Sequence, residues 1–152
     1  MSRDVEATVD HDRRTATITT TFDHPPEAVW RLWSDPAAVA RWWGPPGLPM
    51  TVDHHDLRPG GTVEVTVDAP GGTIRGRWDV IAVEPPRALR FTFSSDGLEP
   101  TEVDVRIVPE VDGSTQMVVT AGFTSEATFA HALAIGFVEG LSRSVAAAHD
   151  AL

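Results

Sequence analysis

His54, His55 and Asp56 stand in an unbroken row, the most suggestive cluster of potential metal ligands and proton-transfer groups in the chain. A zinc site needs three or four convergent ligands. Neighbouring side chains on a strand point to opposite faces, so His54 and His55 share a metal only where a bulge intervenes. His54 has the parity of Val52 and is expected either inward, as a polar contact in a pocket, or as an ordinary strand histidine. His55 is then expected in solvent. His131 follows Phe129 by two, a spacing that suits a pocket rim or a structural position, and His149 near the chain end is expected to be exposed. The serines at 94, 95, 142 and 144 sit in no G-x-S-x-G elbow, and no Ser–His–acid order is evident. Arg58, in D-L-R-P-G-G, lacks the Lys-Ser/Thr ending of a phosphate loop and reads as a turn residue paired with Asp56 or a neighbouring acid. Glu102 and Asp104 share a strand face, as two outward acids commonly do. The expectation is therefore no catalytic residue, no metal and no cofactor.

The stronger chemical signal is aromatic. Trp30, Trp33, Trp42 and Trp43 crowd together, and Trp78 lies further on in a strand-like segment. Buried indole N–H groups need acceptors. Two readings stay open: a core and lid packed with aromatic bulk, or an apolar cavity lined by Trp43, Trp78, Phe91 and Phe93 and entered near the W-W-G-P-P-G loop. Ligand pockets are mostly apolar with a few placed polar groups. His54, Arg75, Arg77 and Glu102 are candidates for those groups, although the last three equally suit an outer face. With Phe129, Leu133 and Phe137 from the C-terminal segment, the expected ligand-binding set is Trp43, His54, Trp78, Phe91, Phe93, Phe129, Leu133 and Phe137.

Composition narrows the partners. The 152 residues carry 12 Lys+Arg against 22 Asp+Glu, a formal charge of -10. Nucleic acids and anionic membranes both call for a basic footprint, so neither is expected. There is no cysteine, which removes disulfides, thiol catalysis and thiolate metal sites. The polar start, without an apolar stretch, argues against a secretory signal and for a cytoplasmic protein. No run approaches the length of a membrane span.

The elements that must hold these residues follow from periodicity. Residues 1–14 read as a flexible leader and 15–152 as a single domain. Thr15 to Phe22 alternates as a strand. Two short helices follow, the first beginning at Pro25-Pro26 and the second with Asp35 as N-cap and Pro36 at its first turn. Strands are expected at 50–56, 61–68, 72–83, 88–94, 100–108 and 115–122, separated by Gly, Pro and Asp-Gly turns. Their inward faces are Val63/Val65/Val67, Leu89/Phe91/Phe93 and Val103/Val105/Ile107. Linkers this short favour antiparallel neighbours. From Ser125 to about Asp150, the stripe Phe129, Leu133, Phe137, Leu141, Val145 and Ala148 predicts one helix of roughly 37 Å. Gly136 and Gly140 interrupt it; close backbone packing or tolerated weakness would account for them. The fold class is α+β: a curved antiparallel sheet packed on a long C-terminal helix, with two short helices after the first strand. A straight helix cannot follow a curved sheet throughout, so the gap is filled by side chains or left as a cavity.

The chain resembles the activator-of-heat-shock-protein-ATPase homologue family, in the START-like (SRPBCC) superfamily with its helix-grip fold. The resemblance rests on F22-D23-H24-P25-P26-E27-A28-V29-W30, D35-P36 through R41-W42-W43-G44-P45, D56-L57-R58-P59-G60-G61, G76-R77-W78, V83-E84-P85-P86-R87-A88-L89, G122-F123, G136-F137 and G140-L141. Gly136-Phe137 replaces the family's usual Gly-Trp, and Leu141-Ser142-Arg143-Ser144 replaces its Leu-x-x-Leu, making that edge more polar. The resemblance implies non-catalytic binding of a small hydrophobic or aromatic molecule between sheet and helix. Its alternatives are a protein-interaction or co-chaperone-like role, and a cyclase or hydrolase acting on a polyketide-like or aromatic substrate. A homodimer and a protein partner are both compatible with it; fold alone does not choose among these.

Overall fold

The computed structural model describes the backbone of residues 5–44, 47–96 and 98–152. Among the described residues, eight strands form one antiparallel sheet: Val5–Asp10 (β1), Thr15–Phe22 (β2), Met50–His55 (β3), Thr62–Ala69 (β4), Gly72–Glu84 (β5), Ala88–Ser95 (β6), Leu98–Pro109 (β7) and Thr115–Gly122 (β8). Their order across the sheet is β1-β2-β8-β7-β6-β5-β4-β3. Short turns join β3 through β8 as sequential neighbours, while the helices Pro26–Ser34 (α1) and Pro36–Trp42 (α2) carry the chain from β2 to the far edge. Glu126–Ala134 (α3) and Phe137–Ala148 (α4) complete the chain. This is an open, curved sheet gripped by C-terminal helix, a helix-grip fold.

Alternation decides which strand residues are dry. Val63, Val65 and Val67 on β4, Leu89 and Phe91 on β6, and Val103, Val105 and Ile107 on β7 are all buried. All but Val67 share the main core with Val29, Leu32 and Trp33 of α1 and Val138, Val145 and Ala148 of α4. Outward residues form ion pairs instead: Arg90 with Glu102 and Asp104, Arg106 with Asp104, and Arg77 with Asp79. The hydrogen bond from Arg106 to Asp104, at 2.9 Å, holds the guanidinium above its ordinary pKa. Glu102 and Asp104 thus belong to the solvent face.

Two expectations change. Residues 5–10, read from sequence as leader, pair in full register with β2, from Val5 opposite Thr20 to Asp10 opposite Thr15. The single C-terminal helix is two. Gly136 adopts φ 81°, ψ 29°, a left-handed conformation open to glycine at low cost. The Gly136 N–H closes the end of α3 on the Leu133 carbonyl at 3.3 Å, and the chain restarts as α4. One straight rod is replaced by a 9-residue and a 12-residue helix.

Candidate functional site

α4 packs on β1, β2 and α2, at one side of the sheet. Over the middle strands it stands off, and a cleft of about 520 Å³ lies between the layers. Its position explains an irregularity in the helical stripe. Val145 and Ala148 are fully buried, whereas Phe137 and Leu141 are only half-buried because they face the cleft.

Three walls enclose it. The sheet wall comes from Val65 and Val67 of β4 and Phe93 of β6. Gly76 lies opposite Val65 in the β4–β5 register, and a Cβ there would come within 2.9 Å of Val65 Cγ2 and 3.2 Å of Phe93. The glycine leaves the space that both side chains border. The helix wall presents Phe137, Gly140, Leu141 and Ser144, spaced by three or four residues and so on one face. A Cβ on Gly140 would meet nothing within 4 Å, so backbone itself forms part of this wall. The expected close packing at Gly140 is therefore absent among the described residues.

The third wall is delivered by the short helices. The Asp35 carboxylate caps α2 by accepting the Ala37 N–H at 2.9 Å. Trp42 Nε1–H donates to the Leu32 carbonyl at 2.7 Å, satisfying the C-terminal turn of α1. Trp43 follows immediately, nearly buried, with its ring edge-on to Phe93 at 5.5 Å and to Trp78 at 5.0 Å. Ser144 Oγ donates to the Gly44 carbonyl at 2.7 Å and ties this loop to α4. Pro45 and Pro46, part of the expected entrance, lie outside the described residues.

The structure divides the sequence-derived set. Trp43, Phe93 and Phe137 line the cleft. Trp78 and Phe91 lie beneath it in the dry core, stacked at 4.4 Å and fully buried. Trp78 Nε1 is buried with no hydrogen-bond acceptor among the described residues. Phe129 packs in a separate small core with Phe123, Ala121 and Ala132, and Leu133 lies against both cores. His54 is on neither cleft nor core. The β3–β4 register shifts between Val52 and His54, a bulge that reverses the parity assumed from sequence. His54 is consequently exposed opposite Glu64, while His55 turns inward and its Nε2 lies 3.1 Å from the Trp33 carbonyl. His149, expected in solvent, is half-buried, with Nε2 2.9 Å from Thr20 Oγ1. His131 is exposed beside a second groove of about 450 Å³ between α3 and β7, whose wall shares Phe137 with the cleft. Among the described residues no three His, Cys, Asp or Glu side chains are grouped to hold a metal.

Sequence reasoning omitted Met50, Val65, Val67, Gly140, Leu141 and Arg143 from the lining. Alternation from Val63 carried the signal for the two valines, and the helical spacing from Phe137 carried it for Gly140, Leu141 and Ser144. A groove of about 600 Å³ on the charged side, with Asp53, Glu64, Arg75, Arg77 and Asp96, exceeds the cleft in volume. Those charged side chains are exposed and already solvated, so filling it gains little. Filling the cleft removes apolar surface from water.

Residues 23–148 match the family model described as Activator of Hsp90 ATPase homolog 1-like protein. The chain belongs to that family. Among solved structures, protein Ms6760 from Mycobacterium smegmatis is 30% identical, with a TM-score of 0.87 over 98% of this chain and 97% of that one. A protein from Arthrobacter aurescens is 27% identical with a TM-score of 0.90, covering 96% of this chain and 90% of its own. The AHSA1 protein of Silicibacter pomeroyi shares the fold at 22% identity, TM-score 0.73, over 90% and 95% of the two chains. No curated protein sequence matched. Family and fold together suggest a ligand-binding or regulatory role. None of the described helices of this family member is long and apolar enough to cross a membrane.

Proposed function

We propose that the chain binds a small hydrophobic or aromatic molecule, without a chemical step, in the cleft between the sheet and α4. One observation carries this reading: the apolar stripe of α4 is half-exposed where it crosses a volume of about 520 Å³, within the roughly 300–1,000 Å³ range of ligand pockets. Met50, Val65, Val67, Phe93 and Leu141 supply apolar contact, and Trp43 and Phe137 supply aromatic edges. The driving force is desolvation of ligand and walls.

Titration with N-phenyl-1-naphthylamine, a neutral aromatic fluorophore, tests it. A saturable rise with one site per chain, lost in a folded Gly140→Leu variant, is the expected result. An absent rise, or one that Gly140→Leu leaves untouched, refutes the cleft as the site.

A further inference from the structure

We infer that the ligand of this cleft is an anion: an apolar body with one acidic group, received by Arg143 at the solvent edge of the helix wall. The inference rests on the cleft being a ligand site and specifies what enters it. Among the described residues, Arg143 is the one cationic side chain lining the cleft. It is also isolated along the chain. From Ile107 to Leu152 it is the sole arginine, there is no lysine, and the acids Glu110, Asp112, Glu126, Glu139 and Asp150 surround it in sequence.

Lacking an ion pair is not peculiar to Arg143, since Arg31, Arg41, Arg75 and Arg87 also have none among the described residues; what sets it apart is its place on the apolar cleft. Glu139 precedes Arg143 by four residues, the spacing that favours helix ion pairs. Other arginines do pair with near neighbours, Arg58 with Asp56 and Arg77 with Asp79. Among the described residues, however, no carboxylate is in ion-pair contact with Arg143. Asp96, the acid on the cleft lining, is held by the Arg75 backbone N–H at 3.0 Å. Ser144, next to Arg143, already donates its proton to the Gly44 carbonyl. The exposed guanidinium fork is hydrated and free of protein acceptors among the described residues, so it can exchange water for an acidic group of a ligand whose apolar body lies against the neighbouring wall. A planar five-donor fork suits the two-oxygen face of a carboxylate, sulfonate or phosphate. The net charge of -10 makes a local cation more necessary, because the distant field opposes an incoming anion. A neutral ligand would need no such group.

The test compares two fluorophores that differ by one sulfonate: N-phenyl-1-naphthylamine and 8-anilinonaphthalene-1-sulfonate. The wild-type chain is expected to bind the sulfonate about three- to five-fold more tightly, the scale of a partly exposed ion pair. Arg143→Gln should erase that preference, lowering the affinity for the sulfonate more than that for the neutral probe; Arg143→Lys should keep part of it. Circular dichroism controls for folding, and the exposed, unpaired position makes loss of the fold unexpected. Equal wild-type affinities, or a preference that survives Arg143→Gln, overturn the anion inference while leaving the cleft reading intact. Failure of both probes to bind saturably overturns the cleft reading, and the inference falls with it.

Discussion

Two glycines four residues apart, Gly136 and Gly140, should respond to alanine with opposite signs. Gly140 is inside α4, where its N–H bonds to the Gly136 carbonyl at 2.9 Å, and an added Cβ meets nothing within 4 Å. Gly140→Ala should then gain the helix-propensity difference with no steric penalty, about 0.8–1.0 kcal/mol. In a domain of this size that raises the melting temperature by roughly 2–4 °C. Gly136 sits at φ 81° and makes the break between α3 and α4. Gly136→Ala should lose about 1–2 kcal/mol for placing a Cβ in left-handed backbone. Urea unfolding followed by far-ultraviolet circular dichroism reads both. Gly140→Leu should be as stable as Gly140→Ala but fill the cleft, lowering affinity for the neutral naphthylamine probe about ten-fold or more, ~1.4 kcal/mol. Destabilisation by Gly140→Ala would show that its Cβ does meet packed atoms. A stable Gly140→Leu with full probe affinity would show that Gly140 does not shape the ligand site.

Trp42 and Trp78 are buried alike but differ in hydrogen bonding: Trp42 Nε1 serves the Leu32 carbonyl, and Trp78 Nε1 has no acceptor among the described residues. Trp42→Phe should therefore destabilise more than Trp78→Phe, by about 1–3 kcal/mol in equilibrium unfolding, because only the first orphans a partner. Equal losses would contradict the assignment of the Trp42 bond. The Asp112 carboxyl is held below its ordinary 3.8 by the side-chain hydrogen bond from Ser114, with a smaller contribution from the Ser114 backbone N–H. A lowered carboxyl favours the folded state above the ordinary pKa, and that contribution fades as pH falls through the folded value. Carboxyl-carbon NMR should show Asp112 titrating below 3.8 and moving back up in Ser114→Ala; an unmoved midpoint contradicts the cause.

Much of the fold was legible because two-residue alternation is a strong signal wherever one face must be dry. Val63/Val65/Val67 and Val103/Val105/Ile107 are buried as their parity requires, and Asp35 caps α2 as its place before Pro36 suggests. β1 was missed because Glu6 to Asp10 are exposed on both faces, leaving little burial to pattern the sequence. The bulge before His54 was missed because no glycine marks it, and one inserted residue exchanges the faces of His54 and His55. The helix break was missed because the apolar stripe runs through it: Leu133 and Phe137 keep helical spacing although Gly136 separates them. Aromatic content singled out Trp43, Phe93 and Phe137, which lie on the cleft wall. It could not separate them from Trp78 and Phe91, since the depth of a ring beneath a cleft depends on sheet curvature and on where α4 lifts away, not on residue type.

Methyl-resolved NMR during titration with N-phenyl-1-naphthylamine tests the central claim most directly. Saturable shifts should concentrate on the methyl groups of Met50, Val65, Val67 and Leu141, while those of Ile18, Val105 and Met117 in the sealed core stay in place. Saturable shifts that bypass the first group and fall elsewhere would place the ligand outside the cleft. No saturable shift would show that the cleft does not take an apolar ligand.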